Sequence, residues 1–514
     1  MSNSTRIFKN TLILYGRMVV MMLIALYTSR ILLKVLGFEN FGVYNVVAGI
    51  IIFFTFLNNG LGTGTRRYIT AEVGKINDSN LQHVFNICFQ SHLIIAGIVL
   101  ITGEIIGVWV VNNILNIPSE KMFGANIAFQ CSLFIAILGI IQSSYSTVIT
   151  AYERMNVYAY FTIFDVVAKL GFIFAIEYIK GDKLIIYSLL LSAISLISFS
   201  INFSYCYKKF PRCRLKKVTD KKLLKDIFKF MSWNLLGQIA VVLTNQGVSI
   251  LVNLFYNVIV NAAMGISNQV TSIVSNFVSN FQVAFNPQII KQYHNDQHEQ
   301  LKHLINRSSK ISSYLIIIFL IPICLEIQKV LTLWLSDYPQ YTPQFVVFTL
   351  ISMYFSSISA PLWMVVYAQS NIQKYQIVIS LVYSMNFFIS WGLLAFGMAP
   401  YIVILVRIVV LTWLILVRLK YVKLLLPDFN IKFWLSDILF KGIAITLFTI
   451  FSLKFIVDYI DCSLFSHIVI TTILSLSVSI SLIYFWGFDR HERLFVKQIM
   501  LHKLFKHKSN HSAK

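Results

Sequence analysis

The stretch LQHVFN (Leu81–Asn86) returns as LKHLIN (Leu301–Asn306), 220 residues further on. Just before the two copies, GKINDSN faces YHNDQHEQ. NIPSE around Pro118 faces SDYPQ around Pro339 at an offset of 221, and AYERMNVYAY (Ala151–Tyr160) faces AQSNIQKYQI (Ala368–Ile377) at 217. Each match alone is weak. Three in order, at nearly constant offset and each at the edge of an apolar run, describe a duplicated chain.

The runs themselves set the class. The chain has 514 residues, 57% of them hydrophobic and 12% charged, with a mean hydropathy of +0.72. A soluble domain carries about 25% charged residues. Breaks between apolar runs give fourteen candidate spans, near 11–33, 42–62, 85–111, 124–150, 157–178, 184–206, 231–254, 258–283, 311–335, 345–368, 375–396, 400–419, 434–456 and 464–487. Most reach the roughly 20 residues that cross a bilayer. The expected fold is an all-α polytopic membrane protein of about 14 transmembrane helices. It comprises an N-lobe (1–206, spans 1–6), a basic cytoplasmic linker (207–230), a C-lobe (231–423, spans 7–12), two additional spans (424–487) and a basic cytoplasmic tail (488–514). Six spans per half is an even number, so the halves are expected as parallel repeats about an axis along the membrane normal, the plan of transporters that bind cargo between their halves. The alternative is that duplication only builds a large helical bundle.

The net charge of +22 has its simplest source in orientation. With the N-terminus inside, the inner loops hold 32 of the 43 Lys and Arg residues, as cytoplasmic loops do. Both termini are therefore expected in the cytoplasm. No nucleic-acid motif accompanies the charge, so nucleic acid is not an expected partner. The six cysteines show no CxxC spacing and read as free thiols, and no metal site is expected. MSNSTRIFKN lacks a cleavage pattern, so span 1 is expected to be kept as a signal anchor.

Polar groups inside the spans are the candidates for function. In span 7, Asn234, Gln238, Asn245 and Ser249 fall on one helical face; in span 8, Asn261, Gly265, Asn268, Ser272, Ser275 and Ser279 do the same. They read as the wall of a hydrated cavity or as hydrogen bonds that hold helices together. Span 5 carries Asp165 and Lys169, four residues apart and able to pair. Arg17 lies in span 1 and Arg407 in span 12. A guanidinium in hydrocarbon costs at least about 2.5–3.5 kcal/mol. Arg17 is close enough to the inner surface to snorkel instead. Glu104 and Glu326 occupy nearly equivalent places in the two halves, toward the outer end. The deeper unpaired charges are positive, which suits phosphate or pyrophosphate held by Arg and not a lipophilic cation.

Five segments carry a resemblance. They are TSRILLKVLGFENFGVYNVV (Thr28–Val47), GLGTGTRRYITAEVGK (Gly60–Lys75), TAYERMNVYAYFTIFD (Thr150–Asp165), NAAMGISNQV (Asn261–Val270) and FNPQIIKQY (Phe285–Tyr293). In order and spacing the chain resembles the polysaccharide transport branch of the multidrug/oligosaccharidyl-lipid/polysaccharide (MOP) exporter superfamily, the Wzx-type O-antigen and capsule flippases, over about residues 5–490. The resemblance implies two six-helix lobes in a V around a central cavity. It implies movement of an undecaprenyl-pyrophosphate-linked oligosaccharide from the inner to the outer leaflet of the bacterial cytoplasmic membrane by alternating access. No cofactor is implied; an H+ or Na+ gradient or the membrane potential supplies the energy. By this analogy Arg17, Lys169 and Arg407 face the cavity, and Arg66 and Arg67 sit at its inner mouth. Span 1 has no Asp, unlike related cation-coupled exporters, which leaves Asp165, Glu104 and Glu326 as coupling candidates. Gly37 and Gly42, around the first outer turn, are expected to serve tight packing.

Three other readings compete. A MATE-like cation-coupled exporter of small molecules wants acidic cavity residues, which are scarce. A membrane polymerase or ligase of polysaccharide assembly wants a large outer loop, and the outer loops here are short. A scaffold for assembly enzymes would use the basic loop 207–230, which otherwise meets anionic lipid. The expectation is a non-enzymatic, monomeric transporter, with the bilayer, the lipid-linked oligosaccharide and other polysaccharide assembly proteins as partners.

Overall fold

A computed structural model describes residues 27–51 and 80–494, apart from 153, 217, 219, 370–372, 458, 460, 461 and 491, together with Ile24, Gly62, Thr65, Tyr68, Ile69, Glu72 and Val73. The fold is all-α: 89% helix, without a strand among the described residues. In chain order the helices are α1 (Tyr27–Ile51), α2 (Leu81–Asn113), α3 (Ser119–Ala151), α4 (Met155–Tyr178), α5 (Lys183–Lys209), α6 (221–255), α7 (Val258–His294), α8 (His298–Leu335), α9 (Thr342–Ile358), α10 (Ala360–Tyr367), α11 (Gln373–Ala395), α12 (Ile402–Leu425), α13 (Ile431–Val457) and α14 (Leu464–Gly487). Ten of the described helices are long and apolar enough to cross a membrane, or eleven when α9 and α10, bent by 40°, count as one span. Every expected span from the third onward falls on a helix. Most of span 1 lies outside the described residues.

The repeated segments fall at corresponding helix ends. LQHVFN opens α2 and LKHLIN lies in the first turns of α8; NIPSE leads into α3 and SDYPQ precedes α9; AYERM joins α3 to α4 and AQSNI precedes α11. Pro and the polar residues around it punctuate both halves in the same way, because Pro has no N–H to continue a helix.

Gly37 and Gly42 do different jobs. Gly37 has φ +73° and open space where a Cβ would stand. It interrupts α1 by its backbone alone, between expected spans 1 and 2. At Gly42 a Cβ would lie 1.9 Å from the Val258 carbonyl oxygen of α7. Packing is thus the reason for Gly42, and a turn is the reason for Gly37.

The chain divides into two compact units. The first comprises Met1–Gln269, Asp337–Phe345 and Gln373–Val410. Its core gathers Phe85, Phe129, Ile140, Tyr145 and Val148, where α3 lies along α2 and α5. The second comprises Val270–Ser336, Val346–Ile372 and Leu411–Lys514, with α8, α13 and α14 packed together. Hydroxyls buried in these spans largely bond their own helix, as Ser91 to the Ile87 carbonyl, Ser132 to Ala128, Thr449 to Ile445 and Ser479 to Ser475. Such back-bonding satisfies the donor without a partner helix.

The basic linker is a docked strap. Gln82, Asn86 and Gln90, one per turn of α2, donate side-chain amide hydrogens to the carbonyls of Arg214, Arg214 and Val218. The Lys216 N–H donates back to Asn86 Oδ1 at 2.7 Å. Asp220 closes the strap: it accepts from the Leu223 N–H at 2.9 Å and lies 3.1 Å from His83. The Leu223 N–H, and then His83, hold its carboxyl below the usual carboxylate range. Arg212, Arg214 and Lys216 are exposed. All six cysteines are free thiols; Cys213, buried in the strap, has its thiol pushed up to about 12 by that burial.

Candidate functional site

Asp165 and Lys169 stand one turn apart on α4 and pair at 3.1 Å, as their spacing requires. Both are half-buried. Ser198 of α5 donates its hydroxyl to the other Asp165 oxygen. The carboxylate lies in an open pocket of about 160 Å³ with Gln142 and Ser146 from α3, Thr162 from α4, and Ser198 and Asn202 from α5 among its walls. Tyr158, Phe161, Phe164 and Ile201 complete the walls, so the pocket is mixed in character, and the acid among its lining residues is already paired with a lysine. The α5 contribution is invisible in the sequence, since Ser198 and Asn202 are ordinary polar residues in an apolar run.

Arg407 of α12 reaches α6. Its Nη2 donates to the Thr244 carbonyl at 3.0 Å and to Asn245 Oδ1 at 2.8 Å. The acceptors exist because residues Leu243–Gly247 form a π turn, which shifts carbonyls out of the regular i to i−4 ladder. Thr244 in turn donates its hydroxyl to the Tyr383 carbonyl of α11 at 2.9 Å. No carboxylate pairs with Arg407 among the described residues, and its Nε has no partner. Among the described residues the guanidinium is therefore held by neutral acceptors.

The expected polar stripes separate into packed and open parts. Asn245 is exposed and Asn268 is exposed, as are Ser275 and Ser279. Asn261, expected on a cavity wall, is 1% exposed; its amide donates to the Ser249 carbonyl at 3.2 Å and fastens α7 to α6. A Cβ at Gly265 would lie 2.9 Å from the Asn45 side-chain amide of α1, which would have to shift. Asn234 and Gln238 lie on α6 with side chains outside the described set, and Arg17, Arg66 and Arg67 lie outside the described residues.

Glu104 and Glu326 occupy unlike surroundings. Glu104 sits in the π turn Gly103–Gly107, exposed beside the exposed Ile101, Ile105 and Ile106, and accepts from Gln130 at 3.1 Å. Glu326 is 3% exposed, at a kink of α8 one turn after Pro322. Its Oε1 lies 3.1 Å from His467 Nδ1 and accepts from the Thr471 hydroxyl at 3.2 Å; its Oε2 lies 3.4 Å from Lys329. These α14 partners have no counterpart in the first half of the chain, so the repeat could not reveal them.

A second charged cluster lies nearer the start of α8. Lys310, buried, meets Asp437 of α13 at 2.7 Å, Glu492 at 3.2 Å and Asp489 at 3.4 Å. Asp437 also pairs with Lys441. Beside it, a pocket of about 740 Å³ is walled by Lys302, Arg307, Asp428, Phe429 and Phe433 among others. Among the described residues no group of three or more His, Cys, Asp or Glu is placed to hold a metal ion.

This arrangement of helices is similar in fold to that of several solved membrane transporters. Three solved structures carry the comparison. An inward-facing multidrug resistance transporter of the MATE family of that superfamily is 14% identical over 80% of this chain and 96% of its own, with a TM-score of 0.65. The lipid II flippase MurJ, in an inward closed conformation, is 14% identical over 92% of this chain and 99% of its own, with a TM-score of 0.67. A MOP superfamily transporter from Pyrococcus furiosus Vc1 (DSM3638), whose binding pocket is described as reversed in polarity, is 15% identical over 80% and 95%, with a TM-score of 0.54. At such identity the likeness is one of fold. No sequence-family model matches the chain, and no curated protein sequence does. The described helices are those of a multi-pass membrane protein, and these three neighbours are described as transporters or a flippase.

Proposed function

We propose that the chain is a flippase for an undecaprenyl-pyrophosphate-linked oligosaccharide repeat unit, moving it from the inner to the outer leaflet of a bacterial cytoplasmic membrane for O-antigen, capsule or exopolysaccharide synthesis. One observation carries this reading. Among the described residues Arg407 is an intramembrane cation held by neutral acceptors alone, whereas Asp165 is balanced by Lys169. The insertion cost of a guanidinium in a span is offset when its charge meets an anion in transit, and a pyrophosphate is the anionic part of this cargo. Arg17, Lys169 and Arg407 then attract the head group, Arg66 and Arg67 guard the inner mouth, and Asn234, Gln238, Asn245 and Asn268 line the path. The two lobes, 1–206 and 231–423, alternate access around it, with both termini in the cytoplasm. An H+ or Na+ gradient or the membrane potential drives the cycle, and among the acids Asp165 has the pocket for a coupling ion.

The second reading, a cation-coupled small-molecule exporter, draws on the likeness to the multidrug transporter and on the aromatic-walled pocket that holds Asp165. Deleting the gene in its native bacterium separates the two. Lipid-linked repeat units that accumulate on the inner leaflet, with loss of surface glycan, support the flippase. Unchanged glycan with new sensitivity to cationic compounds supports the exporter.

A further inference from the structure

His467 of α14 is 4% exposed and meets more partners than one protonation state can satisfy. Its Nδ1 lies 3.1 Å from Glu326 Oε1, and its Nε2 lies 3.2 Å from the Val457 carbonyl of α13. Both are acceptors. A neutral imidazole carries one N–H, so only the imidazolium donates to both. The third neighbour argues the other way. Lys329 Nζ lies 2.9 Å from Nε2 and 3.1 Å from Nδ1. An ammonium donates only to a bare ring nitrogen and repels an imidazolium.

We propose that Glu326, Lys329 and His467 form a proton-binding site in which protonation of His467 expels the Lys329 ammonium. In the neutral state Nδ1–H donates to Glu326 and Nε2 accepts from Lys329. In the protonated state Nε2–H turns to the Val457 carbonyl, and Lys329, 41% exposed against 3% for Glu326, swings to solvent. No covalent bond changes besides the N–H formed with the incoming proton. The buried charge stays near zero in both states, because the glutamate trades one cation for another. That balance lets the site take up a proton in a low-dielectric interior without leaving a lone buried charge. Thr471 stays with Glu326 throughout. Of the other titratable groups near Val457, Lys454 of α13 is exposed three residues before it, and Asp458, just after it, lies outside the described residues; Lys432, Asp437 and Lys441 stand more than three turns away along α13. The site joins α8, at its kink, to the two helices beyond the repeat, and it stands whichever cargo the transporter carries.

The test follows the His467 ring by solid-state 15N spectra of the full chain in liposomes, its signal identified by its loss in His467→Gln. The ring is expected to pass from one protonation state to the other across the pH series. Lys329→Gln is expected to raise its midpoint and Glu326→Gln to lower it, each by about one pH unit or more. A ring that keeps one protonation state in the wild type, or a midpoint unmoved or moved in the same direction by both changes, overturns the proposal. The unaltered protein gives a check that needs no variant. Methylation of Lys329, read by mass spectrometry relative to Lys454 in the same sample, is expected to rise severalfold as pH falls through the midpoint. A constant ratio overturns the exchange.

Discussion

The Arg407 guanidinium of α12 lies 2.8 Å from the Asn245 side-chain oxygen, on the π turn of α6. Replacing Arg407 by Lys keeps the charge but leaves one of the two acceptors, Thr244 O or Asn245 Oδ1, without a matched donor. Where that acceptor is the carbonyl of buried Thr244, leaving it unsatisfied costs about 1–3 kcal/mol; at the exposed Asn245 water can replace the donor. Under the proposed function, Arg407→Lys is expected to lower surface polysaccharide and Arg407→Gln to abolish it, each with normal membrane abundance on a blot. Normal polysaccharide in Arg407→Gln would remove Arg407 from the transport path.

Gly42 and Gly37 separate steric from conformational need. Gly42→Ala drives a methyl into the Val258 carbonyl, and overpacking of this kind costs typically about 1–3 kcal/mol. Gly37→Ala meets no atom and is strained only by its positive φ, at a cost of about 1 kcal/mol. Thermal unfolding of the purified protein in detergent is expected to rank Gly42→Ala below Gly37→Ala. The reverse order would contradict the close approach of α1 and α7.

Lys310 binds three carboxylates where solvent is scarce. Lys310→Met leaves Asp437 with Lys441 alone, and breaking a buried pair costs about 3–5 kcal/mol. The double change Lys310→Met with Asp437→Asn is expected to recover part of the loss, which a thermal-shift double-mutant cycle measures. A cycle with no coupling would show that the two side chains do not share their charge in the protein.

The strap has a pH dependence of known sign. The Asp220 carboxyl is held below its unfolded value by the Leu223 N–H and by His83. A depressed carboxylate stabilises the fold above its unfolded pKa, and that contribution is lost as pH falls through the folded value. Protease cleavage within 210–220 is therefore expected to increase only below about pH 4, and Asp220→Asn is expected to show the raised cleavage already at pH 7. Equal cleavage of both proteins at pH 7 would mean that Asp220 does not fasten the strap.

The features that a sequence displays and those it hides divide along physical lines. Hydropathy exposes the spans because the cost of polar backbone in lipid acts on every turn. The Asp165–Lys169 pair is legible because one helix sets its spacing. The stripe in span 7 is harder, since a constant 100° step assumes a regular helix and the π turn at Leu243–Gly247 shifts the phase of every later residue on α6. Asn261 shows a second limit: an amide stripe does not say whether it meets water or the Ser249 carbonyl. Glu104 and Glu326 show a third. Sequence offset makes them equivalents, but His467 and Thr471 come from a helix that lies beyond the repeat.

Where α1 passes α7 at Gly42, backbone meets backbone with no side chain between. Side chains cushion most helix crossings, and their rotamers absorb small displacements. This crossing has no such cushion, so it behaves as a rivet: α1 and the start of α7 hold a fixed separation there, and any motion that involves the pair has to turn about that point without widening it.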